Sequence, residues 1–219
     1  MNSAMEQRLW ALEAIGNARL MLLLTRSLCS ADPLQTLQAA LRGGVAVVQV
    51  REKQMPNAEL VRWVRAVHAL TAAHKVPLIV NDDALTAIEA GAEGVHLGQE
   101  DQSVAAVRGL QGGAELIIGL STHSVEQVMA APTLADYLGF GPLFDSSTKS
   151  VRGQGLATLG AAIAAARVPL FGIGGINATT LPQAAKAGLQ RSAVSSALCA
   201  ASDPELTARS LLALLACAQ

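Results

Sequence analysis

The sequence predicts an α/β chain closed into a single (β/α)8 TIM barrel, and three observations predict it. Short apolar runs alternate with longer Ala/Leu-rich stretches at helical spacing, the pattern of strand-helix units around a parallel sheet. Eight such units can be counted along the chain. A doubly wound open sheet, the main competitor, would place a glycine-rich phosphate loop after its first strand. Here that position reads Arg26-Ser27-Leu28-Cys29-Ser30 and holds no glycine.

In order, strands are expected at 20–25, 45–50, 77–81, 94–97, 116–119, 137–140, 169–173 and 192–195, with a helix between each pair and after the last. Glycine announces several strand starts, as in Gly43-Gly44-Val45 and Gly91-Ala92, because it can end a helix at positive φ without steric cost. Residues 1–17 are expected to form an N-terminal extension, a helix covering the bottom of the barrel. No linker or charge block interrupts the rhythm, so residues 1–219 are expected to fold as one domain, and a chain 51% apolar can bury a full core.

Composition excludes several functions. The formal net charge is −1 with both signs scattered, and six aromatic residues leave little for stacking on bases, so no nucleic acid partner is expected. Cys29, Cys199 and Cys217 lie far apart with no C-x-x-C pair, and read as reduced thiols of a cytoplasmic protein. The apolar run at 20–25 is too short to span a bilayer, and no signal peptide is visible, so no membrane partner is expected. The oligomeric state stays open, a homo-oligomer included.

In such a barrel, reactive residues stand at the C-terminal strand ends. The second strand runs into Gln49-Val50-Arg51-Glu52-Lys53, and a period of two puts Gln49, Arg51 and Lys53 on one face as a cationic comb. The bland alternative pairs Arg51 with a neighbouring carboxylate. The third strand ends in Asn81-Asp82-Asp83 and the fourth leads to Gln99-Glu100-Asp101, so Asp82 and Asp101 could approach one hard cation such as Mg2+. Taken alone, Asn-Asp after a strand reads as a helix N-cap. The loop Asp145-Ser146-Ser147-Thr148-Lys149 offers hydroxyls and a lysine to phosphate oxygens, or is a plain solvent loop. Gly174-Gly175 after the seventh strand and Ser195-Ser196 after the eighth lie where barrels commonly bind phosphate. His68 and His74 read as surface helix residues, His96 as a satisfied barrel residue and His123 as the start of a helix. Trp10, Trp63 and Met129 read as packing.

Taken together, these segments resemble the thiamine phosphate synthase family. Further carriers are Gly94-Val95-His96-Leu97-Gly98, Gly119-Leu120-Ser121-Thr122-His123, Asp136 through Pro142, and Gly172-Ile173-Gly174-Gly175-Ile176. The resemblance implies a transferase that joins a pyrimidine diphosphate to a thiazole phosphate and releases pyrophosphate. It implies that Gln49, Arg51, Lys53 and Asn81 bind the pyrimidine diphosphate, and that Asp82 and Asp101 hold Mg2+. Arg51, Ser121 and Lys149 would assist pyrophosphate departure. Ser146, Ser147, Thr148, Gly175, Ser195 and Ser196 would bind the thiazole phosphate. The chain departs from the family pattern at Asp145, where the loop usually reads Pro-Thr-x-Thr-Lys, and at Arg191, where a small residue is usual. The first is expected to weaken thiazole phosphate binding and the second to bear on barrel packing. Two rival readings are a thiazole tautomerase on the same barrel and a non-catalytic thiamine phosphate binding protein. Tautomerases tend to lose the diphosphate-handling residues, which this chain keeps at Asp82, Asp101, Arg51 and Lys149.

Overall fold

The computed structural model describes residues 3–145 and 155–217. Its eight strands are β1 (Leu20–Leu24), β2 (Val47–Val50), β3 (Leu78–Asn81), β4 (Gly94–Leu97), β5 (Ile117–Thr122), β6 (Tyr137–Phe140), β7 (Leu170–Ile173) and β8 (Ser192–Val194). All pair in parallel and in sequence order, and β8 closes on β1 through Leu20 opposite Ser192. The expected (β/α)8 barrel is the observed one.

Helix α1 (Ser3–Asn17) precedes β1; α2 (Pro33–Arg42), α3 (Asn57–Ala73), α4 (Ala84–Ala90), α5 (Val104–Arg108), α6 (Val125–Met129), α7 (Gly155–Ala165) and α8 (Leu181–Lys186) separate successive strands. After β8 come α9 (Ser196–Cys199) and α10 (Pro204–Ala216). Side-chain oxygens start many of them by accepting otherwise unmatched first-turn amides: Asp32 for α2, Asp83 for α4, Ser103 for α5, Ser124 for α6 and Asp203 for α10. Gly91 ends α4 at φ 77°, as its position in the sequence suggested.

Alternation along each strand divides the core into two layers. Leu20, Leu22, Leu24, Val48, Val50, Val80 and Val95 face outward under the helices. Met21, Leu23, Val47, Ile79, Ile117, Tyr137 and Phe171 fill the barrel interior, and α1 closes its lower end with Ala11 and Ile15. The N-terminal helix therefore completes the interior packing, as expected of it. Arg191 contributes to this docking, because its guanidinium donates to the Gly16 carbonyl in the last turn of α1 at 2.9 Å. A cation at the negative end of a helix is favourable, and this accounts for an arginine at that position.

Polar groups tie the same end together. Glu93, buried ahead of β4, accepts from the Leu78 amide at 2.8 Å, from Gln7 of α1 at 3.2 Å, and bonds His68 of α3 at 3.0 Å. Asp136, ahead of β6, takes Arg8 of α1 at 2.7 Å, Arg108 at 2.5 Å and the Ile118 amide at 2.8 Å. His68 is thus half-buried and paired, not the solvated helix residue expected. The bond to Glu93 raises its pKa above the ordinary histidine value.

Candidate active site

The site is built from inward-facing positions at the upper ends of β2 to β5. Gln49 lies on β2, buried, with Val48 and Val50 turned to the helices as the period of two predicts. Beyond it the chain is held on β1: the Arg51 amide donates to the Leu24 carbonyl at 2.9 Å, and the Thr25 hydroxyl donates to the Arg51 carbonyl at 3.1 Å. Glu52 turns away from the comb. Its carboxylate accepts the Arg26 amide at 2.7 Å, while the Arg26 guanidinium pairs with Glu59 at 2.9 Å and stacks over Trp63 at 5.4 Å. Glu52, the carboxylate between Arg51 and Lys53 in sequence, is therefore engaged by Arg26, and Trp63 has a role beyond packing.

After β3, Asp83 and not Asp82 caps α4, accepting the Thr86 amide at 2.9 Å and its hydroxyl at 2.6 Å. Asp82 sits at φ 66°, a backbone region that costs a non-glycine residue energy, with its amide held by the His96 carbonyl at 2.8 Å. Its carboxyl lies beside that of Asp101. Burial and the Asp101 carboxylate push the Asp82 pKa up, and Lys53 and Arg51 pull it down. Asp101 is itself fixed by the Gly98 amide at 2.6 Å. Two opposed carboxylates flanked by two cations suit a hard divalent ion carrying phosphate oxygens. Among the described residues no cluster of three or more His, Cys, Asp or Glu could hold a metal ion, so such an ion would take its remaining ligands from phosphate and water.

Below the mouth, His96 is the centre of a buried polar chain. Its Nε2 lies 2.9 Å from the Ser121 Oγ and its Nδ1 3.0 Å from the Tyr137 hydroxyl, with the Gln49 side chain beside that hydroxyl. Burial, with the nearby Arg51 charge, lowers the His96 pKa to about 4, so the imidazole is neutral at physiological pH. Glycines make the room: a Cβ on Gly119 would lie 2.1 Å from the Tyr137 ring and 2.5 Å from His96, and one on Gly139 would crowd His96 at 3.2 Å. Strand β5 extends beyond its expected end and carries Ser121 in register with Gly139. His123 precedes α6 and bonds the Gly141 carbonyl at 2.6 Å, outside the helix it was expected to begin. Met129 ends α6 largely exposed and packs little, against expectation.

The far side of the mouth is formed by β6 to β8. Gly174 and Gly175 have φ 92° and 64°, and the segment from Pro142 to Asp145 lies directly against them, leaving no space for a Cβ. Close loop packing and positive φ are thus a structural reason for this glycine pair. The Ser195 hydroxyl donates to the Leu23 carbonyl at 2.9 Å, which turns it toward the backbone of β1, and Ser196 is exposed at the start of α9. Ser146, Ser147, Thr148 and Lys149 lie outside the described residues. Beside β1 the Cys29 thiol donates to the Thr25 carbonyl at 3.5 Å and the Cys199 thiol to the Leu23 carbonyl at 3.7 Å; burial pushes Cys29 up to about 12 and raises Cys199, so neither supplies a thiolate nucleophile at neutral pH.

A family model described as thiamine monophosphate synthase matches residues 20–198. The chain belongs to that family. A thiamine-phosphate synthase of Synechococcus sp. (strain WH7803) is 44% identical over 184 residues, covering 83% of this chain and 52% of the relative. This chain therefore spans about half of that relative's length. The thiamine-phosphate synthase of Laribacter hongkongensis is 41% identical over 183 residues, covering 83% of this chain and 86% of the relative. Among solved structures, thiamine phosphate pyrophosphorylase from Pyrococcus furiosus superposes with a TM-score of 0.84 at 28% identity, covering 93% of this chain and 98% of that one. A 3-hexulose-6-phosphate synthase at 21% identity and TM-score 0.65 shares the barrel fold.

Within this family member the structure brings Gln49, Arg51, Lys53, Asn81, Asp82, Asp101 and Ser121 to one end of the barrel, on strands β2 to β5 or the turns that follow them. Sequence reasoning passed over the linking function of His96 and Tyr137. The available signal was the pair of glycines on β5 and β6, whose missing side chains mark where two rings must fit.

Proposed function

We propose that this protein is a thiamine phosphate synthase. It condenses 4-amino-2-methyl-5-(diphosphomethyl)pyrimidine with 4-methyl-5-(2-phosphoethyl)thiazole, or its carboxylated form, to thiamine phosphate with release of pyrophosphate, and of CO2 as well from the carboxylated form. The observation that carries this reading is the mouth itself, where Asp82 and Asp101 oppose each other with Arg51 and Lys53 close enough to offset their charge.

In this reading Gln49, Arg51, Lys53 and Asn81 bind the pyrimidine diphosphate. Asp82 and Asp101 hold Mg2+, which when bound supplies positive charge against the diphosphate oxygens. The carbon–oxygen bond at the pyrimidine methylene breaks first, the electron-rich ring stabilising the cationic carbon. Arg51, Lys149 and the Ser121 hydroxyl offset the charge growing on the leaving pyrophosphate. The thiazole nitrogen then attacks, its phosphate held by Ser146 to Thr148 and by backbone amides at Gly175 and at Ser195-Ser196. No protein nucleophile is required, in keeping with the buried, protonated thiols and the neutral His96. The chain works as one domain, in the cytoplasm.

The test mixes purified protein with both substrates and Mg2+ and follows thiamine phosphate and pyrophosphate, with an EDTA control. Equal amounts of both products, dependent on Mg2+, are expected. No product from folded protein would transfer the reading to the tautomerase or the non-catalytic binder. Within the same assay, Lys149→Ala is expected to fold normally and turn over slowly; wild-type turnover would remove Lys149 from the mechanism.

A further inference from the structure

The buried chain beneath the mouth joins two residues assigned to the substrate, Gln49 and Ser121, through two that have no assigned role. We propose that Tyr137 and His96 are positioning residues that give this chain one direction, so that the Ser121 hydroxyl is left as a donor aimed into the site. The inference rests on the reading that this mouth parts pyrophosphate from its substrate.

The argument is one of matching donors to acceptors. A neutral imidazole carries one N–H, so its two nitrogens cannot both donate. The Tyr137 hydroxyl has one proton and lies between the Gln49 side chain and His96 Nδ1, which is 3.0 Å away. The phenol is buried and its proton needs an acceptor, so that proton goes to Nδ1. The imidazole proton then sits on Nε2 and is donated to the Ser121 Oγ across 2.9 Å. Ser121 then accepts from His96, and its own proton is free to point toward a leaving diphosphate oxygen. The opposite direction would point the Ser121 proton at His96 and present the substrate with lone pairs, repelling an anion. A donor aligned in advance favours the transition state, in which charge on the leaving group grows, over the ground state.

Packing holds both rings in place. Gly119 and Gly139 leave no room for a side chain beside them, and Tyr137 also packs edge-on against Phe171 with centroids 5.8 Å apart. Both rings are fixed in the barrel wall while Ser121 stands at the rim.

Nitrogen-15 NMR of histidine-labelled full-length protein at neutral pH reads the tautomer, with His96→Gln identifying the His96 signals among the four histidines. A neutral ring protonated on Nε2 is expected; protonation on Nδ1, or an imidazolium, would overturn the proposal. Kinetics supply the second arm. Ser121→Ala should lower kcat about 100-fold, the effect of losing one donor at a developing anion. Tyr137→Phe should lower kcat about tenfold with both KM values within about twofold, the scale of one hydrogen bond. In the Ser121→Ala background Tyr137→Phe should add nothing, because its effect passes through the missing hydroxyl. A full additive loss in the double variant would show that Tyr137 acts elsewhere and overturn the chain. Absence of wild-type turnover would instead strike the functional reading, and the tautomer measurement would stand apart from it.

Discussion

The two ends of the barrel use carboxylates in opposite ways. At the bottom, Asp136 is flanked by two arginines and an amide, and Glu93 by a histidine, a glutamine amide and a backbone amide. At the mouth, Asp82 and Asp101 face each other, Asp82 occupies a costly backbone region, and its pKa is raised by the contact. The bottom charges are matched within the protein and hold α1, α3 and the strands together. The mouth charges are arranged against the stability of the fold, which fits the proposal that they take a ligand.

The widest separation between the two ends should come from activity. Asp82→Ala is expected to lower kcat/KM roughly 1,000-fold, about 4 kcal/mol, while the thermal midpoint stays level or rises. Asp136→Ala should do the reverse. It leaves Arg8 and Arg108 without their partner and should cost about 3 kcal/mol in urea unfolding, with kcat per folded molecule unchanged. Loss of activity in proportion to folded protein in both variants would erase the distinction.

Smaller effects sharpen it. A carboxyl whose folded pKa is raised destabilises the native state above that pKa, and the penalty fades as pH falls and the group protonates in both states. In metal-free protein at pH 7, Asp82→Asn is therefore expected to add about 0.5 kcal/mol, discounted for exposure at the mouth, and the gain should shrink toward pH 3. His68 has the opposite sign. Its folded pKa is raised by Glu93, so its contribution is complete below the unfolded value and lost as pH rises through the folded one. Wild-type stability should fall by no more than about 1 kcal/mol across that window, and His68→Gln should flatten the curve.

Much of this was legible in the sequence because period and punctuation are local. The apolar runs marked the strands, and alternation on β2 placed Gln49 inward with Val48 and Val50 toward the helices. What escaped depends on contacts between distant segments. The polar Asn81-Asp82-Asp83 run suits both a cap and a metal ligand, and only the folded backbone shows that Asp83 is the cap and that Asp82 takes no part in it. Arg191 looked like a packing anomaly until the end of α1 was placed beside it. His96 read as a satisfied barrel residue, which it is, but its partners Ser121 and Tyr137 lie 25 and 41 residues away.

The most direct test of the comparison is calorimetric binding of inorganic pyrophosphate, with and without Mg2+, to the wild-type protein and to Asp82→Asn. The mouth, if it is a metal–diphosphate site, should bind pyrophosphate at least about tenfold more tightly with Mg2+, and Asp82→Asn should abolish that gain. Equal affinity in all four titrations would contradict the assignment of Asp82 and Asp101, and with it the contrast between the two ends of the barrel.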